Sequence, residues 1–303
     1  MKHTLKITTV LLLFFLLAQY IGLAIVYGSI DQLQSQAEGK AVFKELAIGE
    51  RPPLEENTSY LSIITAVLIG TIFLLLLIKL NWIWVWKIWF LLAVILSLTI
   101  ALGVYVSKEI AFIAALIFGI WKIFKPNFWV HNLTELFVYG GLAVIFVPVL
   151  NIFSISILLI LIAIYDAYAV WKSKHMITLA KSQTKAKIFA GLFIPYQLKK
   201  KKSQDQQKTS HQGSAKNKTS IAAKGIRTAV LGGGDIGFPL IFAGVVLKEL
   251  GLWQSLIIPP FALLGLALLL YYGDEKKFYP AMPFIGAGCF LGLGVVYVLQ
   301  WIF

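Results

Sequence analysis

Two carboxylic acids of this chain sit where carboxylic acids are costly. Asp166 lies inside the apolar run Phe153–Val170, and Asp235 inside Thr228–Val246. An aspartate at the centre of a membrane helix costs about 2.5–3.5 kcal/mol on insertion scales, and such a residue usually faces a cavity and has a function. The other twelve of the fourteen acids read as loop residues or as lying within about one turn of a helix end. Two carboxyls sharing a low-dielectric site do not both ionise: one keeps its proton while the other acts as a base. Such a pair activates water against a peptide carbonyl and protonates the leaving nitrogen. It titrates as a unit. The bland alternative is a carboxyl satisfied by a neighbouring hydroxyl or amide.

Depth brings the two acids together. Asp166 is six residues inside a helix that ends near Lys172, about 9 Å at 1.5 Å per residue. Asp235 is eight residues inside one that begins near Arg227, about 12 Å. Consecutive antiparallel helices therefore carry the carboxyls at similar depth. Gly232-Gly233-Gly234 directly precedes Asp235, and three residues without side chains let another backbone approach. Pro280-Ala281-Met282-Pro283 opens the last apolar run. Its prolines lack N–H groups, so carbonyls lose helical partners and could accept a peptide strand. The alternative is an ordinary helix-start proline.

Other chemistry finds little support. Gly232-x-Gly234-x-x-Gly237 matches a dinucleotide fingerprint, but its flanks are membrane spans and no acid follows about 20 residues on. Cys289 is the one cysteine and reads as a small buried hydrophobe. His3, His131, His175 and His211 are scattered near predicted helix ends or in a loop, with no HExxH, so no metal and no cofactor is expected. Of three glycosylation-type triplets, at Asn57, Asn132 and Asn217, only Asn57 falls on the predicted outer side.

The elements that must position these residues follow from composition. Of 303 residues, 59% are hydrophobic and 14% charged, with mean hydropathy +0.81. These values exclude a disordered, collagen-like or ordinary soluble chain and leave an all-α polytopic membrane protein. Nine spans are predicted: Ile7–Tyr27, Leu61–Ile78, Trp89–Val106, Ile110–Ile123, Leu133–Leu150, Phe153–Val170, Thr228–Val246, Ser255–Tyr271 and Phe278–Phe303. The first is too long for a signal h-region and lacks a convincing cleavage site. Asn81–Lys87, dense in Trp, reads equally as a headgroup-level connection or as ordinary packing aromatics. Gly288-x-x-x-Gly292 reads as a packing contact before a dimer seam. The chain divides into an N-terminal bundle over 1–172, a basic hydrophilic loop over 173–227 and a C-terminal bundle over 228–303.

The formal net charge of +13 is not spread over a face. Residues 172–227 hold 14 of the 27 basic side chains and one acid, Asp205, which argues for a topology determinant contacting anionic lipid and against nucleic acid. Most of that loop cannot bury apolar area, although Ile188–Pro195 reads as an amphipathic piece on the membrane surface. Residues 31–60 carry six acids and three bases. The positive-inside rule places the N-terminus and basic loop in the cytoplasm, and residues 31–60 and the C-terminus outside.

Tyr165-Asp166, Gly232-Gly233-Gly234-Asp235 and Pro280-Ala281-Met282, in this order and topology, resemble the GxGD intramembrane aspartyl proteases, the presenilins and signal peptide peptidases. The archaeal presenilin homologues are the most similar, and the orientation matches presenilin. The resemblance implies a multi-pass protein of a prokaryotic cell membrane that hydrolyses transmembrane or signal-anchor substrates. It implies Asp166 and Asp235 as the catalytic pair, flanked by Tyr165. It implies backbone room at Gly232, Gly233 and Gly234, and a site shaped by Pro280, Ala281 and Met282. Met282 stands where the family usually has Leu, a swap that conserves volume. In presenilins the long loop is cut during maturation and part of it orders as strand with substrate, which here directs attention to Ile221–Ile226. Oligomeric state is not legible. The alternative is a proton- or cation-coupled transporter or channel using the same two carboxylates.

Overall fold

The computed structural model describes residues 5–125, 127–172, 189–197, 226–274 and 279–302. Among them are nine helices of 17 to 24 residues. In chain order the elements are α1 (Leu5–Gly28), the short α2 (Gln32–Glu38), α3 (Ser59–Lys79), α4 (Ile83–Leu102), α5 (Lys108–Phe124), α6 (Phe128–Phe146) and α7 (Ile152–Trp171). There follow strands β1 (Gly191–Gln197) and β2 (Ile226–Gly232), then α8 (Gly233–Leu250), α9 (Leu252–Tyr272) and α10 (Met282–Ile302). Seven of the described helices are long and apolar enough to cross a membrane. The two others are α5, at 17 residues, and α8, which carries Asp235, Lys248 and Glu249.

α8 occupies the middle of the bundle. Between Ile236 and Leu247 every residue except Phe238 is buried. A helix that is apolar all round belongs inside a bundle. α3 is its opposite: only Ser59, Ile63 and Leu77 are buried, and large side chains such as Ile69 and Ile72 face outward. Burial, more than hydropathy, thus separates core from periphery.

Glycines set the closest approaches. A Cβ on Gly288 would collide with the Phe261 carbonyl of α9, and one on Gly265 with the Phe284 carbonyl of α10. The Gly288/Gly292 pair therefore packs within the chain, as read from sequence. Gly141 of α6 meets the Ser97 carbonyl of α4 in the same way. Such contacts bring backbones together where no side chain fits.

Three helix starts differ from the sequence reading by five residues or more, and α10 begins at Met282 where Phe278 was expected. α4 begins at Ile83, so the Trp-rich stretch is mostly helix, with its turn confined to the residues around Asn81, where φ is 55°. α6 begins at Phe128, capped by the Asn127 side chain, which accepts from the Trp129 N–H, so His131 is helical and not in a connection. The seventh helix begins at Gly233, because Ile226–Gly232 is strand. β2 pairs antiparallel with β1 from Gly191↔Gly232 to Gln197↔Ile226. Ile188–Pro195, read as a surface amphipathic piece, overlaps β1 instead, and Leu192 and Ile194 in it are buried. Their spacing is the period of two that a strand uses to bury one face. Ile221–Gly225 and most of the basic loop lie outside the described residues.

The acidic segment 31–60 is tied to one end of the bundle. Lys248 pairs with Glu56 at 2.8 Å and donates to the Pro148 and Leu150 carbonyls. Glu249 accepts from the Ile152 N–H, and Asn151 donates to Asn57. The hairpin and the starts of α6, α8 and α10 lie at the other end.

Gly288→Val is expected to lower the thermal midpoint of the purified protein by an amount equivalent to about 1–3 kcal/mol, the usual range for overpacking. Gly294→Ala, where nothing lies within 4 Å of the added methyl, should leave it unchanged or raise it.

Candidate active site

Asp166 lies in the second-last turn of α7 and is 7% exposed. Its Oδ2 accepts the Met282 N–H at 3.1 Å, and the Ala281 N–H adds to that interaction. The first N–H groups of a helix have no partner inside it. Those of α10 are thus available to a carboxylate, which the helix dipole also favours. Pro283 sits at the second helical position, where a missing N–H costs nothing. The Pro-Ala-Met segment therefore contacts Asp166 through its N–H donors. The carbonyls emphasised by the sequence reading are not what makes this contact.

Asp235 is the third residue of α8, in its first turn and not two turns deep. The helix starts late because Ile226–Leu231, which includes the three β-branched residues Ile226, Thr228 and Val230, pairs with β1, and the glycines mark the change of backbone. None of the three has a positive φ. Their requirement is space. A Cβ on Gly232 would lie 3.2 Å from Asp235 Oδ2, and one on Gly233 would lie 2.9 Å from the Tyr139 hydroxyl. Gly234 has ordinary room, with Phe238 3.6 Å away. α7 and α8, the bearers of the two acids, pack against each other. Tyr165 donates to Thr71 Oγ1 of α3 at 3.2 Å.

The first turn of α8 is loosened and braced at once. Pro239 has no N–H to offer the Asp235 carbonyl. One residue on, the Ile236 carbonyl accepts the side-chain amide of Gln19, fully buried in α1, at 2.9 Å.

A second polar system backs the hairpin. His131, Asn132, Glu135 and Tyr139 share one face of α6, by helical spacing. Asn132 bonds both backbone groups of Phe193 in β1, donating to its carbonyl at 3.0 Å and accepting its N–H at 3.1 Å. His131 Nε2 lies 2.9 Å from the Gly191 carbonyl. Glu135 is paired with Lys122 of α5, and the two side chains are 2% and 1% exposed. The outer edge of β1 is thus occupied by side chains of α6.

Glu135, Lys122, Gln19 and Tyr139 were missed in the sequence. Placing the fifth span at Leu133 leaves Glu135 within a turn of the helix end, an unremarkable position. The Pro126-Asn127 pair is the sign that would have corrected it, since Asn is a favoured N-cap. With the helix started there, Glu135 lies two turns inside. Among the described residues no group of three or more His, Cys, Asp or Glu side chains is placed to hold a metal ion.

A polytopic helical bundle with a carboxyl on each of two packed helices, one bound at a helix start and the other in a glycine-led first turn, has the layout of an intramembrane aspartyl protease. The chain belongs to the signal-peptide peptidase and presenilin aspartyl protease family, whose model matches residues 41–302. Two structures of a presenilin family intramembrane aspartate protease have the same fold. The C222 form aligns with a TM-score of 0.61 at 20% identity, covering 96% of this chain and 99% of the other. The P2 form aligns at 0.59 and 20%, covering 95% and 96%. No curated protein matches the chain significantly.

Lys122→Met, which leaves Glu135 buried without its partner, is expected to destabilise the protein by about 3–5 kcal/mol. The double variant Lys122→Met/Glu135→Met should recover most of that loss in thermal unfolding. Equal midpoints for the single variant and the parent would show that the pair does not hold α5 to α6.

Proposed function

We propose that Asp166 and Asp235 are the catalytic pair of this intramembrane aspartyl endopeptidase. The observation that carries the reading is that Asp166, far from α10 in sequence, is bound by the α10 N-terminus beside the helix that bears Asp235. In the reactive state one carboxyl is ionised and the other protonated. The ionised member takes a proton from water as the oxygen attacks the peptide carbonyl. The protonated member donates to the carbonyl oxygen, and the leaving nitrogen is then protonated. The backbone N–H groups at Ala281 and Met282 orient Asp166 throughout. Gly232, Gly233 and Gly234 give a peptide backbone room to lie against the first turn of α8.

Substrates are transmembrane or signal-anchor segments. A helical peptide hides its carbonyls in its own hydrogen bonds, so it must be extended before attack. β1 has one edge against β2 and the other occupied by Asn132 and His131. The outer edge of β2 is the place for a third strand. The nine long helices all span the membrane, α5 and α8 included, with the N-terminus and basic loop in the cytoplasm and the C-terminus outside.

Purified protein in lipid is expected to cut a single-span reporter. Asp166→Ala and Asp235→Ala should each lower cleavage to background, while Met282→Leu should stay within about twofold of the parent, as a volume-conserving swap. Cleavage that survives either aspartate substitution overturns the assignment. Membrane-impermeant labelling of a cysteine placed at Gln36 from outside, and of one at Ser203 only after permeabilisation, is the expected result for the orientation.

A further inference from the structure

One buried hydroxyl beside the proposed catalytic pair has no task in the mechanism above. Tyr139 belongs to α6, is 4% exposed, and reaches the first turn of α8. Its hydroxyl lies 2.9 Å, and its ring carbon Cε1 3.2 Å, from where a Cβ on Gly233 would stand. Among the described residues the hydroxyl makes no hydrogen bond of ordinary geometry. An unpaired buried hydroxyl is destabilising, commonly by a few kcal/mol at most, and an exception of this kind calls for an explanation. In a site, the explanation is a partner that arrives during function.

Two carboxyls act on this hydroxyl: Glu135, by its charge and a hydrogen bond of poor geometry, and Asp235, by its charge. Glu135 is already paired with Lys122, and the His131 ring lies 3.9 Å from the same oxygen. Asp235 is placed differently. Its Oδ2 stands over Gly232, while the Tyr139 hydroxyl stands over Gly233, the next residue. Donor and acceptor therefore face adjacent glycines where β2 passes into α8. Glu135, four residues before Tyr139 on the same helix, is anchored to α5, so the base of the tyrosine is held in place.

We infer that Tyr139 is a positioning residue, whose hydroxyl donates a hydrogen bond to the Asp235 carboxylate when that carboxyl turns from Gly232 across Gly233 into its working rotamer. The inference rests on the reading of Asp235 as a catalytic residue. It accounts for glycine at 233, where a side chain would push the hydroxyl away, and for a phenol kept buried with no hydrogen bond of ordinary geometry at rest.

The test uses the full chain in lipid with the single-span reporter. Tyr139→Phe is expected to lower kcat about tenfold, less than the roughly 10²–10⁴-fold carried by a residue that itself transfers the proton, with KM unchanged. Its thermal midpoint should stay at the parent's, because the variant removes a hydroxyl that makes no hydrogen bond of ordinary geometry at rest. A purely structural role predicts a loss of midpoint instead. If Asp235→Ala remains active, the catalytic assignment fails and this inference with it. If Asp235→Ala is inactive while Tyr139→Phe keeps the parent kcat, or loses kcat only together with its midpoint, the role assigned to Tyr139 is wrong and the catalytic pair stands.

Discussion

A carboxylate inside a bilayer must be solvated by something other than bulk water, and here helix beginnings do it. The first N–H groups of any helix lack internal partners. At the start of α10 they are aimed at Asp166 across a sequence separation of 116 residues. Asp235 occupies the first turn of its own helix. Both acids thus sit at the positive ends of helix dipoles, where a negative charge is stabilised. The rest of the bundle is arranged so that two such beginnings converge: α8 is enclosed, α7 and α10 pack beside it, and Gly265 and Gly288 let α9 and α10 touch backbone to backbone.

That convergence constrains the neighbours. A helix that starts with glycines and has Pro239 in its second turn is poorly self-supported. Support comes from outside it, from the Gln19 amide of α1 and from the hairpin whose second strand leads into it. The hairpin would in turn be marginal by itself, since an isolated two-stranded sheet has little stability. Asn132 and His131 supply the edge partners that a third strand would otherwise provide. A chain of dependence thus runs from α5 through the Lys122–Glu135 pair to α6, β1, β2 and α8.

Much of this was legible in the sequence, for physical reasons. Long apolar runs locate helices because lipid tolerates little else, and the costly Asp166 and Asp235 stood out against them. The glycines and prolines marked real features of the backbone. What the sequence hid was pairing. Lys122 and Glu135 look like ordinary span-end charges until α5 and α6 are seen side by side. Gln19 is one polar residue in an apolar helix, and only the fold reveals the carbonyl it serves. The run before Gly233 is apolar enough to pass for helix, and the competition was decided by β1, some 30 residues upstream in the chain and adjacent only in space.

β2 ends at Gly232 and α8 begins at Gly233, with no residue between them to act as a slack joint. Strand and helix are therefore one mechanical piece, and Asp235 is three residues past its elbow. Any force that tugs the ribbon sideways is delivered to that carboxyl without loss in a linker. If Asp235 is the catalytic residue proposed above, docking of a guest strand and alignment of its carboxyl become a single movement. On that reading, a guest that keeps its own coil would give the ribbon nothing to grip and leave the acid unset.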